Sequence, residues 1–303
     1  MKLTPLKRWL LTLALLASLL LWLDIGELAD QMQSLAPGWL AFGLLVSVAQ
    51  TILSAWRWRF TAGLLGLELS PSRALSEYYL AAFVNQMLPG GVLGDAWRAQ
   101  RHAQRSGRAG VAWRSVILER ASGQIVVVGL ALGVLLVFGS RANLDHGALG
   151  LGLGAVLAIG TVLWMARRPA DRWPAWANRF LEDARRALIK ADAWPAQLLS
   201  SLVIVLSYLL VFAASARGLG LSLPLGQLMI MALPVLLAML IPISVAGWGV
   251  REGAAGLVWM AVGLAPEQGV AVSLAYGLLV LLGSLPGALV LTQPNSAQTH
   301  VNQ

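Results

Sequence analysis

Apolar runs of near-spanning length recur along this chain at 9–23, 39–56, 74–88, 116–138, 148–166, 198–216, 225–243 and 268–291, with a shorter one at 253–264. A helix needs about 20 apolar residues to cross a hydrocarbon core of roughly 30 Å. Lipid offers no hydrogen bonds to open backbone, so a chain with this many runs folds as a bundle of membrane helices. Only 12% of residues are charged and 58% are hydrophobic, against about 25% charged in a soluble domain. By length, 74–88 and 253–264 fall short of a crossing.

Cysteine is absent and the three histidines, His102, His146 and His300, are scattered, so no disulfide, thiolate or clustered ligand set can be drawn, and no metal or other cofactor is expected. There is no P-loop, G-x-S-x-G, H-E-x-x-H or dinucleotide fingerprint, and no catalytic residue stands out. Trp9, Trp22, Trp39, Trp56, Trp58, Trp113, Trp164 and Trp194 stand near run ends and read as interfacial anchors.

The first run, Trp9–Leu23, follows Lys2, Lys7 and Arg8 like a signal peptide but lacks a small-residue cleavage site, so it reads as an uncleaved first span. With the amino terminus inside, the loop 24–38 carries Asp24, Glu27 and Asp30 and no basic residue. Of the 22 basic residues, all but Arg141, Arg217, Arg120 and Arg251 then fall on the cytoplasmic side, including Arg57, Arg59 and Arg73. Both that group and the cluster Arg98, Arg101, Arg105, Arg108 and Arg114 want the same face, although an apolar segment separates them. Segment 74–97 therefore enters and leaves on one side, as a re-entrant pair of half-helices.

The break in that segment is "NQMLPGGVLGDAWRAQ", Asn85 to Gln100. A second break, "IPISVAGWGVREG" from Ile241 to Gly253, aligns with it: Pro242 over Pro89, Val245 over Val92, Gly247 over Gly94 and Arg251 over Arg98. The runs 116–138, 148–166 and 198–216 lie between the copies, an odd number of crossings, so the two units face opposite sides. The fold class expected is an all-α polytopic membrane protein of about six spanning helices plus two re-entrant broken-helix hairpins in an inverted-topology repeat. It forms a single integral membrane domain: first span and outer loop 1–38, first unit 39–138, connection 139–197, second unit 198–292 and tail 293–303. Paired Gly/Pro interruptions of this kind point to a transporter site near the midplane.

A helix that restarts inside a protein-lined cavity offers unpaired N–H groups and a positive dipole end. Arg98 and Arg251 beside such starts favour an anion, phosphate above all, which a guanidinium holds with two parallel bonds. Glu252 is expected to pair with Arg251, Asp95 reads equally as a plain N-cap, and Glu119–Arg120 reads as a further charged pair. Arg98 has an alternative as the first of the cytoplasmic basic residues, whereas Arg251 sits in apolar surroundings that give it none. The substrate-binding set is Asn85, Gln86, Gly90, Gly91, Gly94, Asp95, Arg98, Glu119, Arg120, Ser244, Gly247, Trp248, Gly249, Arg251 and Glu252, with Pro89 and Pro242 as breakers. Segment 172–192, with Trp176, Phe180, Ala184 and Leu188 on one face, reads as an amphipathic helix on the anionic inner leaflet. Topology accounts for the basic pI near 10.8, so nucleic acid is not an expected partner.

At "NQMLPGGVLGDAWRA", "IPISVAGWGVREGAAG" and "LER" (Leu118–Arg120) the sequence resembles the flippase-like family named after the transmembrane region of lysylphosphatidylglycerol synthase, from about Trp39 to Leu291. The resemblance implies a bacterial inner-membrane protein that moves or binds lipids, and the charge pattern above places both termini in the cytoplasm. The matched positions are Asn85, Pro89, Gly90, Gly91, Gly94, Asp95, Arg98, Glu119, Arg120, Pro242, Gly247, Gly249, Arg251 and Glu252. In the synthases a soluble aminoacyl-transferase domain follows, whereas this sequence stops shortly after Leu291, so it is not expected to make the aminoacylated lipid. Expected partners are an anionic phospholipid or a polyprenyl-phosphate-linked lipid, and a second copy or envelope-synthesis enzymes. The function expected is lipid translocation between leaflets. The alternatives are a membrane-embedded transferase and a non-catalytic partner in envelope glycolipid or phospholipid synthesis.

Overall fold

The structure, a computed structural model, describes residues 35–88, 91–138, 174–240, 244 and 246–291, with the single positions 10, 13 and 26. Among these residues the chain is helical, without strands. The expected span 9–23, apart from positions 10 and 13, and the expected span 148–166 lie outside them, as do Pro89, Gly90 and Pro242.

Among the described residues four helices are long and apolar enough to cross a membrane: α1 (Pro37–Leu64), α4 (Ala109–Phe138, apolar through Val134), α6 (Trp194–Gly218) and α9 (Pro266–Ser284), which continues as α10 (Pro286–Leu291). Between them stand shorter helices: α2 (Pro71–Met87), α3 (Leu93–Ser106), α5 (Ala175–Ala184), α7 (Leu225–Ala238) and α8 (Val250–Ala261). Proline opens α1, α2, α6 and α9 within the first two positions, where its missing N–H costs nothing.

The order long, short, short, long occurs twice, in α1 to α4 and in α6 to α9. Within each half the neighbours in sequence pack together, α2 on α1 and α3, α7 on α6 and α8. Between halves, α1 lies along α6, α1 also meets α9, and α4 meets α6. The short helices cross over as well, α2 against α9 and α10, α7 against α4. The largest core joins α6, α7, α8 and α9 around Phe212, whose ring lies 6.1 Å from Trp259 and 5.6 Å from Tyr276. Outward faces carry Leu45, Leu199, Leu257 and Leu289, all well exposed, as expected where lipid is the solvent.

The segment expected to lie on the inner leaflet forms α5, continued by a π-helical turn at Arg185–Ile189. Its apolar face is spent on protein: Ala184 and Ala187 bury against Leu65 and Leu118, with Phe180 and Leu188 beside them. Asp183 then accepts Arg114 Nε at 2.6 Å, tying α5 to α4. Only Trp176 stands far out. Among the tryptophans, Trp39, Trp56, Trp113 and Trp194 are exposed as anchors should be, but Trp58 is 0% exposed and belongs to the interior.

Candidate functional site

The first break falls between α2 and α3, at Leu88 to Val92. Gly94, in the first turn of α3, lies directly on the Ala81 carbonyl of α2, so a Cβ there would overlap backbone. That contact brings the end of α2 beside the start of α3. Asn85 locks the corner: its Oδ1 accepts the Gly94 N–H at 2.7 Å and its Nδ2 donates to Asp95 Oδ2 at 3.1 Å. Asp95 is no N-cap. The N-cap position is Val92, which makes no side-chain cap, and the Asp95 carboxylate instead accepts Arg98 Nε at 2.9 Å and Arg120 Nη2 at 2.8 Å.

From there the charges alternate across three helices. Arg98 Nη2 reaches Glu119 Oε2 at 2.7 Å, and Glu119 Oε1 accepts Arg57 Nη2 at 2.6 Å and Arg57 Nε at 3.2 Å. Arg57 Nη1 goes on to Ser201 on α6 at 2.9 Å, and Ser201 to Ser122 at 3.2 Å. The line thus reads Arg57, Glu119, Arg98, Asp95, Arg120. Three guanidiniums against two carboxylates leave one positive charge, with Glu119 0% exposed and only the Arg120 side chain, at 36%, reaching the outside. Arg98 is also sandwiched between the rings of Trp58 (4.6 Å) and Tyr78 (4.5 Å), a desolvated cation–π pair. Two donors in this line, Arg98 Nη1 and Arg120 Nε, are buried without a partner among the described residues.

The expected Glu119–Arg120 pair does not form. Consecutive residues on a helix point about 100° apart, so Glu119 turns inward to Arg57 and Arg98 while Arg120 turns to Asp95. Nor are Arg57 and Arg98 the solvated cytoplasmic cations their position suggested; both are buried. Arg57, Trp58, Tyr78 and Ser201 are members that sequence reasoning missed, and a cation flanked by two tryptophans at the end of an apolar run, Trp56-Arg57-Trp58, was their only signal.

The second break precedes α8, and its backbone is turned sharply: Ala246, Gly247 and Gly249 have φ of 50°, 82° and 83°. Glycine takes such angles without a steric penalty, and the turn sets Arg251 in the first turn of α8. Arg251 is 0% exposed and pairs with Glu252 as expected, Nη2 to Oε1 at 2.6 Å and Nε to Oε1 at 3.0 Å. Ser273 of α9 accepts Arg251 Nε at 3.0 Å and donates to Glu252 Oε1 at 3.2 Å. Glu252 Oε2 closes the corner by accepting the Gly249 N–H at 2.6 Å. So neither helix start is bare: Asn85 fills part of one and Glu252 part of the other.

Arg251 lies over Trp248 (4.7 Å) and Tyr276 (5.5 Å), as Arg98 lies between a tryptophan and a tyrosine. Its guanidinium rests on Gly277, where a Cβ would collide with it, and its Nη1, like that of Arg98, is buried without a partner among the described residues. Ser244 is buried with its hydroxyl unpartnered among the described residues, Gln86 Oε1 likewise, and Gly91 closes the first break at φ 63°. No residue is shared between the two arginine clusters among the described contacts.

These features define a membrane-embedded helical protein with buried arginine centres at two broken helix pairs. The family model described as "Lysylphosphatidylglycerol synthase TM region" matches residues 9–287, and the chain belongs to that family, one of membrane proteins linked to lipid and envelope synthesis or flipping. Neither a curated protein nor a solved structure matches the chain.

Proposed function

We propose that the chain translocates lipids with an anionic or phosphate-bearing headgroup between the leaflets of a bacterial inner membrane, through a site between two inversely inserted units. The observation that carries this reading is the alternating line of buried charges with one positive charge in excess and guanidinium nitrogens left over. Uncompensated charge at membrane depth is expensive, and an anionic headgroup at the Arg120 end would neutralise it. A two-unit arrangement is supported by the pairing of helices, which keeps its form when α1–α4 are exchanged with α6–α9: α2 on α9 answers α7 on α4, and α1 on α9 answers α6 on α4.

The absence of a nucleotide motif from the sequence makes the movement passive or ion-coupled, and rocking of one unit against the other would expose the site alternately.

Purified protein in liposomes tests this with a leaflet-resolved assay over a panel of phospholipids and polyprenyl phosphates. Headgroup movement should exceed that of protein-free vesicles and fall about tenfold in Arg120→Gln, the loss of one charge-assisted contact, and fall also in Arg251→Ala. Equal rates with and without protein would remove the proposal. A new lipid product formed only when a donor is supplied would indicate a transferase instead.

A further inference from the structure

α1 is 28 residues long, about 42 Å, and exceeds a hydrocarbon core of roughly 30 Å. Its last turns therefore stand among headgroups. There Trp56 and Phe60, one turn apart, stack with ring centroids 5.4 Å apart and planes 7° from parallel. They wall an open groove of about 600 Å³ whose floor continues over Leu64 and Leu67 and whose rim carries Arg59 and Glu68. The Arg59 guanidinium is held in place by Nε donating to the Leu69 carbonyl at 2.9 Å, which leaves its two terminal nitrogens without a partner among the described residues. Glu68 is exposed and likewise has no partner among the described residues, and no ion pair joins it to Arg59.

A fixed cation and a free carboxylate above an aromatic and aliphatic floor match a ligand with both charges and a greasy end. A ligand carrying phosphate alone would be repelled by Glu68. A trimethylammonium group has no N–H to give the carboxylate, whereas a primary ammonium has three. We infer that this groove binds a phospholipid whose headgroup bears a primary ammonium, with phosphate on Arg59, ammonium on Glu68 and the first acyl carbons on Trp56 and Phe60. The site is separate from the translocation centre: Arg59 is exposed while Arg57, two positions back and roughly 200° around the helix, is buried on the opposite face.

Native mass spectrometry of the full chain, released from micelles containing phosphatidylethanolamine, phosphatidylcholine and phosphatidylglycerol with identical acyl chains, tests the inference. The wild type should retain phosphatidylethanolamine about tenfold over phosphatidylcholine, the worth of one charge-assisted hydrogen bond. Glu68→Gln is the clean variant, since Glu68 supports no other described contact; it should bring that ratio near one and raise phosphatidylglycerol. Arg59→Gln should weaken all three lipids. A wild-type ratio near one, or a ratio unchanged in Glu68→Gln, would overturn the inference. So would displacement by soluble phosphoethanolamine as effective as by the lipid. Translocation rates play no part in this readout, so it stands or falls apart from the proposed transport.

Discussion

Glu119→Gln removes one charge from the middle of the buried line and nothing from its shape. In the wild type the Glu119 carboxylate receives Arg57 at 2.6 Å and Arg98 at 2.7 Å with no exposure to solvent. A glutamine at 119 retains one carbonyl acceptor, but its NH2 faces a guanidinium, donor against donor. Three guanidiniums then share the single carboxylate of Asp95, and the excess rises from one positive charge to two. Breaking a buried pair in this way costs about 3–5 kcal/mol, because the partner charge is left buried. Polar contacts between membrane helices average only about 0.6 kcal/mol, but that figure describes groups that find new partners, and among the described residues Arg57 keeps only Ser201 and a share of the one glutamine carbonyl. The larger figure therefore governs. Reversible unfolding by sodium dodecyl sulfate in mixed micelles measures it, and the double variant Arg57→Met/Glu119→Gln sharpens the test. Removing Arg57 restores an excess of one, so the double variant should be more stable than the sum of the two single losses by at least about 1 kcal/mol. Losses that add to within about 0.5 kcal/mol, the behaviour of independent sites, would refute the charge line as a unit.

Gly277→Ala should displace the Arg251 guanidinium and cost about 1–3 kcal/mol by overpacking, while Gly129→Ala, with open space around it, should be neutral or slightly stabilising in the same unfolding assay. His102 is held below its ordinary pKa, chiefly by burial and then by the Arg105 cation, with Glu77 opposing. The unfolded state thus takes up the proton first, so stability should be full above about pH 6.5 and fall as the pH drops below it, and His102→Phe should flatten that slope. Asn85→Ala frees the Gly94 N–H and one side of Asp95 and should cost about 1–3 kcal/mol in the same assay, as unsatisfied buried groups do.

What the sequence showed was whatever depends on neighbours along the chain. Run length identified the four described spans, and the clustering of proline with several glycines located both breaks, because together they weaken a helix far more than one alone. Arg251 and Glu252 were legible since a lone charge pair in apolar sequence has few ways to be satisfied. Partners far apart were not. Arg57 and Glu119 are 62 positions apart, and a basic residue near the end of an apolar run obeys the positive-inside pattern equally well whether it points to water or inward. Trp58 shows the same ambiguity, its indole lying under Arg98 while Trp56, half a turn away, lies outside. Asp95 could not be told from a helix cap, because two of its three partners, Asn85 and Arg120, come from other helices.

The absence of cysteine from the sequence allows the most direct test of two units inserted from opposite faces. Ser106→Cys stands at the end of α3 and Glu267→Cys at the start of α9. With a membrane-impermeant maleimide applied to sealed vesicles of known orientation, Ser106→Cys should label only from the cytoplasmic side and Glu267→Cys only from the other. Labelling of both from one side would contradict the account.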